Sequence, residues 1–540
     1  MKTFILLALM TLSSVSMQAQ WQPDSKEAMR LDNVEKGGQL LVKTLRTPEG
    51  KTVVTWLRGE TIGEDTKYVL HMQILDAKGN AQFGDEGFII SDKPTLNYTT
   101  LYETALAENG DIIIGYSDMR NSSMFEETRM YVYRYNQQGQ PVWDANGIPF
   151  EPIQTSTDAI STRQENAKFC TSGDNLYVAI NQSEYIMGDE TSSVGQKSSV
   201  VRNWQLWRLN ADGTRCGSEP LMLNATVLQL VPAPNGDVYV VYDNETEGHG
   251  IVAMRLDKNM HNLWGLPVMV ESESIMKSPV IPEPLVGLMS DGSLTLCYKK
   301  LLTVRGYQVV KHLSPEGDVQ QDAVICNGTN NGNCEDAIMA VRNDKLMMSM
   351  TYVDDAGMEH LYVNEMDEMG NYQWTGYDKY GIGLEHDDLW GFIPYKLIPQ
   401  EDGWVIVYGQ CTYYNCANTI VTKLNEQGQV MWSKRIGDEN LEVETNRYAV
   451  TYDENNVYFF YGQVEHRDSE GKIIPGSGGL YAICANIKNG GGTSGISNIM
   501  PSEESKDNGK WYTIGGTLLN GAPTQPGIYL HNGKKIVINR

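Results

Sequence analysis

The chain has 540 residues, with 68 Asp and Glu against 43 Lys and Arg, for a formal net charge of −25. That balance offers no basic footprint to nucleic acid or to an anionic membrane, and both require one. With 41% hydrophobic residues the chain carries enough apolar material to fold rather than stay disordered.

In chain order, Met1-Lys2 followed by Phe4-Ile5-Leu6-Leu7-Ala8-Leu9-Met10 and small residues up to Ala19 reads as a secretory signal peptide, residues 1–19, cleaved after Ala19. No Cys follows the apolar run to anchor a lipid, and no later stretch approaches the roughly 20 apolar residues of a transmembrane helix. The mature chain is expected to be soluble and exported: secreted or at the outer cell surface, or periplasmic if its C-terminal signal is inactive.

From residue 20 to 488 one pattern repeats. An apolar strand ends in Asn/Asp-x-x-Gly or a variant, often with a Trp a few residues on. The copies are Leu75-Asp76 to Gly79, Tyr135-Asn136 to Gly139 with Trp143, Leu209-Asn210 to Gly213, Leu256-Asp257 with Trp264, Leu313 to Gly317, Met366-Asp367 to Gly370 with Trp374, and Leu424-Asn425 to Gly428 with Trp432. The Asn or Asp side chain caps the turn and the Gly supplies the positive φ that returns the chain as a hairpin. A Trp recurring at one register is read as packing between neighbouring sheets.

Upstream of each phrase lies a second hairpin, whose return strand begins at Thr52, Ile112, Asn175, Val238, Leu294, Lys345, Trp404 and Val457. Two hairpins per repeat make four strands, a to d. Eight such repeats, spaced by roughly 50 to 65 residues, predict an all-β fold, an eight-bladed β-propeller of four-stranded blades. The eighth repeat lacks its strand d. After Leu480-Tyr481-Ala482-Ile483-Cys484 the chain enters a linker, residues 489–509, opening with Asn489-Gly490-Gly491-Gly492. Gln20-Trp21-Gln22-Pro23 resembles a strand-d opening, so the N-terminus is expected to complete the last blade and close the ring. An open solenoid is the alternative.

The remaining segment, residues 510–540, holds Lys510-Trp511-Tyr512-Thr513-Ile514-Gly515-Gly516 and Pro526-Gly527-Ile528-Tyr529-Leu530-His531-Asn532-Gly533-Lys534-Lys535 ahead of Ile536-Val537-Ile538. It reads as a small β tail domain of three short strands with a turn at Asn532-Gly533. These residues resemble the C-terminal sorting domain of type IX (Por) secretion system cargo of Bacteroidota, in shortened form and over about the last 45 residues. The resemblance implies the type IX machinery as a partner, passage across the outer membrane, and removal of the tail. Thr517 stands where that family usually carries Arg, which puts the activity of the signal in question.

Of the eight cysteines, Cys411 and Cys416 flank a tyrosine-bearing loop and Cys326 and Cys334 flank an Asn/Gly-rich one. Both pairs are expected to be disulfides in an oxidising compartment. Free buried thiols are expected for Cys170, Cys216, Cys297 and Cys484.

In a propeller the b–c and d–a loops share one face. Six of the eight b–c loops carry acids here, among them Asp118, Asp189 and Asp243, and aromatic or His residues fall on the same face, including Tyr185, the run from His386 through Asp387 to Trp390, and Tyr413-Tyr414. Ring closure would gather Asp118, Asp189, Asp243, Asp387, Trp390, Tyr413 and Tyr414 at one mouth, where a glycan, a peptide or Ca²⁺ could bind. Solvated loops on an acidic protein are the plain alternative. No cofactor is evident, and the zinc-helix, serine-elbow and phosphate-loop motifs are absent from the sequence. The expected function is binding or adhesion. The alternatives are a secreted hydrolase using loop-face carboxylates on glycans, or a structural part of a cell-envelope assembly.

Overall fold

The computed structural model describes residues 21–488 apart from short stretches, including 33–38, 96–101, 121–126, 187–198, 245–249, 273–283, 302–305, 328–332, 385–390 and 412–414, together with the strands and a few neighbouring residues of the C-terminal segment from 511 to 538. Two compact units form, one ending at Thr493 and one running from Ser494 to Arg540.

Strand b of each repeat is the hydrophobic spine. It lies between strands a and c, and both its faces meet neighbouring blades, so it reads as a continuous apolar run instead of an alternating one. Ile112–Asp118 and Gly403–Cys411 are buried at every position. Strand d sits at the rim, and Val430–Ile436 is largely exposed. The order a-b-c-d, antiparallel throughout, holds in all eight blades, as in Gln39–Arg46, Thr52–Ile62, Asp65–Leu75 and Phe88–Ser91 of blade 1 or Glu103–Leu106, Ile112–Asp118, Arg129–Tyr135 and Ile148–Phe150 of blade 2. Blades 7 and 8 merge into one sheet because Asn415 and Cys416 bridge Glu444 and Val443. Apart from one 3-10 turn at Pro234–Gly236, the described residues form no helix.

The ring is closed. Each strand a packs on the strand a at either side, and Gln39–Arg46 of blade 1 meets Val443–Tyr452 of blade 8. Arg46 bonds Asp453 and Tyr458 across that junction.

Closure comes from the N-terminus, at Met29–Arg30, which pairs with Ala482 and Tyr481 as strand d of blade 8. Trp21 itself lies one step earlier. Its backbone N–H donates to Lys78 O at 2.9 Å and its ring covers Gly79 of blade 1. Trp143, Trp264 and Trp374 do the same on Gly213, Gly317 and Gly428, each donating its indole N–H to a carbonyl of the turn it covers. The Trp phrase therefore marks the clasp ahead of strand d, and the expected pairing near Trp21 is displaced to Met29 and Arg30.

A buried ion pair then locks the closing segment. Asp32 accepts from Arg58 at 2.9 Å, from Trp56 Nε1 at 2.9 Å and from Gln39 Nε2 at 3.2 Å, with both charged side chains at 2% exposure or less.

The C-terminal unit is a sheet of four strands, not three, in the order Leu518–Leu519, Trp511–Thr513, Gly527–His531 and Lys534–Ile538. Leu518–Leu519 escapes notice in the sequence because two residues show no period.

Candidate functional site

The two faces of the ring differ in their connections. Every a–b connection is a tight turn, as at Asn109-Gly110, Gly173-Asp174 and Asp402. Some b–c and d–a connections are much longer, running over residues 119–128 of blade 2 and 187–198 of blade 3 between strands b and c and over residues 272–284 between blades 4 and 5, whereas residues 63–64 of blade 1 and 224–225 between blades 3 and 4 are as short as an a–b turn. These long loops stand on one face of the ring, and loops held on a rigid scaffold are where ligands are bound.

Buried acids at strand ends fix the roots of these loops. Asp118, last in strand b of blade 2, has a fully buried side chain held by Arg120, whose Nε lies 2.9 and 3.0 Å from its two oxygens. The same guanidinium covers the Tyr131 ring at 3.7 Å, donates to Tyr133 at 2.6 Å and reaches Asn146 O at 2.8 Å. Burial by itself lowers the pKa of Arg120, and the bonds to Asp118 outweigh it and drive the value up. Asp243, last in strand b of blade 4, is buried and accepts from Gly250 N at 3.0 Å, closing its own b–c loop.

Three further acids do similar work. Glu184 accepts from Thr155 N and Oγ1 and from Ser156 N at 2.7 to 2.8 Å and so ties down the loop between blades 2 and 3. Glu271 accepts from Tyr298 at 2.8 Å and Lys300 at 3.3 Å. Glu359 accepts from Phe392 N at 2.9 Å.

Aromatic rings line the same rim. Arg163 lies 4.6 Å over Tyr185. In blade 6, Tyr380 packs against Tyr352 at 5.1 Å and Tyr362 at 5.7 Å, and His360 stacks on Tyr362 while bonding Asp354 at 3.1 Å. The hydrogen bond from Met358 N, then that to His360, holds the Asp354 carboxyl below its usual range. The clustering of His360 with Tyr380 around Tyr362 escaped the sequence reading, because His360 comes from strand c and Tyr380 from the segment ahead of strand d.

Lys396 on strand a of blade 7 is accessible to solvent, yet burial lowers its pKa. Strand a of blade 7 pairs only with strand b, so its other edge faces the axis.

Of the seven residues expected at the mouth, Asp118 and Asp243 are thus clamps within the wall, their carboxylates turned to their own loops. Asp189, Asp387, Trp390, Tyr413 and Tyr414 lie outside the described residues, as do the side chains of Cys326 and Cys334. Cys411 and Cys416 are bonded, with Cα atoms 3.9 Å apart across strands b and c of blade 7. Among the described residues no three His, Cys, Asp or Glu converge as metal ligands, and no helix is long and apolar enough to cross a membrane.

No family model matches the chain, and no curated relative does. Among solved structures it is similar to an ulvan lyase of a polysaccharide lyase family at 10% identity and TM-score 0.39, over 61% of this chain and 79% of that one. It is also similar to a Dyadobacter fermentans protein of unknown function (10%, TM-score 0.37, 85% and 97%) and to a Trypanosoma rangeli sialidase in complex with difluorosialic acid (11%, TM-score 0.33, 74% and 55%). At these scores the likeness carries nothing about activity.

Proposed function

We propose that the protein is an exported binding or adhesion module of the bacterial surface that holds a glycan or peptide on its loop face. The observation that supports this reading is a set of long loops on one face, residues 119–128, 187–198 and 272–284 among them, with buried acids such as Asp118, Glu184 and Asp243 that pin loop roots. Fixed roots lower the ordering cost of binding through loops. Export rests on the leader at residues 1–19, and transfer by the type IX machinery on the Gly527–Ile538 phrase.

The test uses the mature chain and a variant in which residues 187–198 are replaced by Asn-Gly, a turn that fits between strands b and c. Both are put to glycan and peptide arrays. Binding lost with an unchanged melting temperature supports the loop face; binding that survives removes it.

A further inference from the structure

On the opposite face, the turns of neighbouring blades clasp each other. Gly110 of blade 2 lies against Pro48 and Glu49 of blade 1, and Ser290 of blade 5 donates to Asp344 of blade 6. Between blades 4 and 5 the slot is filled by two prolines. A Cβ on Gly292 would stand 2.9 Å from Pro234 Cγ and 3.9 Å from Pro315 Cγ.

Blades 2 and 3 are built on the same plan. Arg134 pairs with Asp111 as Arg255 pairs with Asp237. Arg134 and Trp143 both donate to Ala211 O, as Arg255 and Trp264 do to Pro315 O. The turn Ala107-Glu108-Asn109-Gly110-Asp111 matches Ala233-Pro234-Asn235-Gly236-Asp237. Glu108 and Ala211 replace the two prolines, blade 3 turns from strand a to strand b in two residues, Gly173-Asp174, where blade 5 takes the five from Met289 to Ser293, and the slot stands open: a Cβ on Gly173 meets nothing within 4 Å, and a cleft of about 170 Å³ remains.

Its lining is amphipathic. Ile113, Leu176 and the half-buried Trp143 form an apolar wall, and Glu108 and Asp174 stand at the rim from opposite blades. Most polar side chains of the wall are engaged, Arg134 by Asp111 and Asn175 by Arg208. The two rim carboxylates have no partner and are exposed. Carboxylates only accept, so the ligand must bring donors. The volume is below the roughly 300 Å³ at which pockets for drug-sized ligands begin, which fits a single ring. Two uncompensated negative charges favour a cation.

We propose that the cleft between blades 2 and 3 binds one cationic sugar residue, a pyranose bearing a free ammonium, with the ring on the apolar wall and the ammonium and hydroxyls on Glu108 and Asp174. This site lies on the face away from the loops and stands or falls independently of the loop-face reading.

The probe is methyl glucosaminide, followed by ligand-observed NMR on the mature chain, against methyl glucoside and butylamine. The glucosaminide should bind with Kd on the order of 1 mM, and both controls about tenfold more weakly. Glu108→Gln and Asp174→Asn, at exposed and unbonded positions, should each weaken it about tenfold. Glu108→Pro with Ala211→Pro copies the closed slot and should abolish binding without lowering the melting temperature, since both residues occupy the first inner position of type I turns, where Pro is favoured. Failure of the glucosaminide to bind, equal binding of either control, or binding that survives the proline pair overturns the assignment. Loss of loop residues 187–198 should leave it untouched.

Discussion

Asp32→Ala probes ring closure at its lock. The substitution removes the Asp32 carboxylate from Arg58, whose side chain is 2% exposed, and removes the acceptor for Trp56 Nε1 and Gln39 Nε2. Breaking one partner of a buried ion pair destabilises by about 3–5 kcal/mol. A ring of some 470 residues unfolding as one unit, at about 2 cal/mol/K per residue, has an entropy of about 1 kcal/mol/K. The melting temperature should then fall by about 4 °C, read by circular dichroism or calorimetry. Hydrogen exchange should rise first along Leu480–Asn486, the strand that Met29–Arg30 covers. Asp32→Leu with Arg58→Met, which removes both charges, should recover most of the loss. A single variant that melts within about 1 °C of the parent, with no change in exchange at Leu480–Asn486, refutes the lock, because breaking a buried ion pair that holds the closing segment must cost more than that.

Gly428→Ala should cost about 2–3 kcal/mol, since φ is +80° and the new Cβ would stand 2.7 Å from Trp374, whereas Gly471→Ala, at φ +79° in open space, should cost only about 1 kcal/mol; denaturant midpoints compare them. Replacing Cys411 and Cys416 by Ser should lower stability by about 2 kcal/mol, the value for so short a loop, and equal stability of the two chains in oxidising buffer would count against the bond. Burial pushes the Cys170 and Cys297 thiols up to about 12 from an ordinary 9.0. The folded chain therefore holds protons that the unfolded chain releases between those limits. The stability this contributes is whole below pH 9 and is lost as the pH climbs toward 12. At about pH 8 both thiols should resist iodoacetamide until the chain is unfolded, as read by mass spectrometry.

Local chemistry determined the repeat. Apolar runs such as Ile112-Ile113-Ile114 can only be central strands, and glycines at positive φ after Asn or Asp can only be hairpin turns, so the blade count and the strand order were legible along the chain. The sequence also set acids such as Asp118 and Glu184 at the b–c junctions of their repeats. It could not say what they do: Asp118 meets Arg120 two residues away only because the strand end turns that guanidinium inward onto Tyr131, and Glu184 meets Thr155 across a blade boundary. Closure at Met29–Arg30 rather than at Trp21 was likewise a tertiary decision, since the ring chose the register in which Trp21 could cover Gly79 and Asp32 could reach Arg58. The cleft beside Glu108 has no sequence signature at all. It exists because two turns that carry proline between blades 4 and 5 carry Glu and Ala between blades 2 and 3, and because blade 3 turns in two residues where blade 5 takes five; an unfilled volume is a property of neighbours in space.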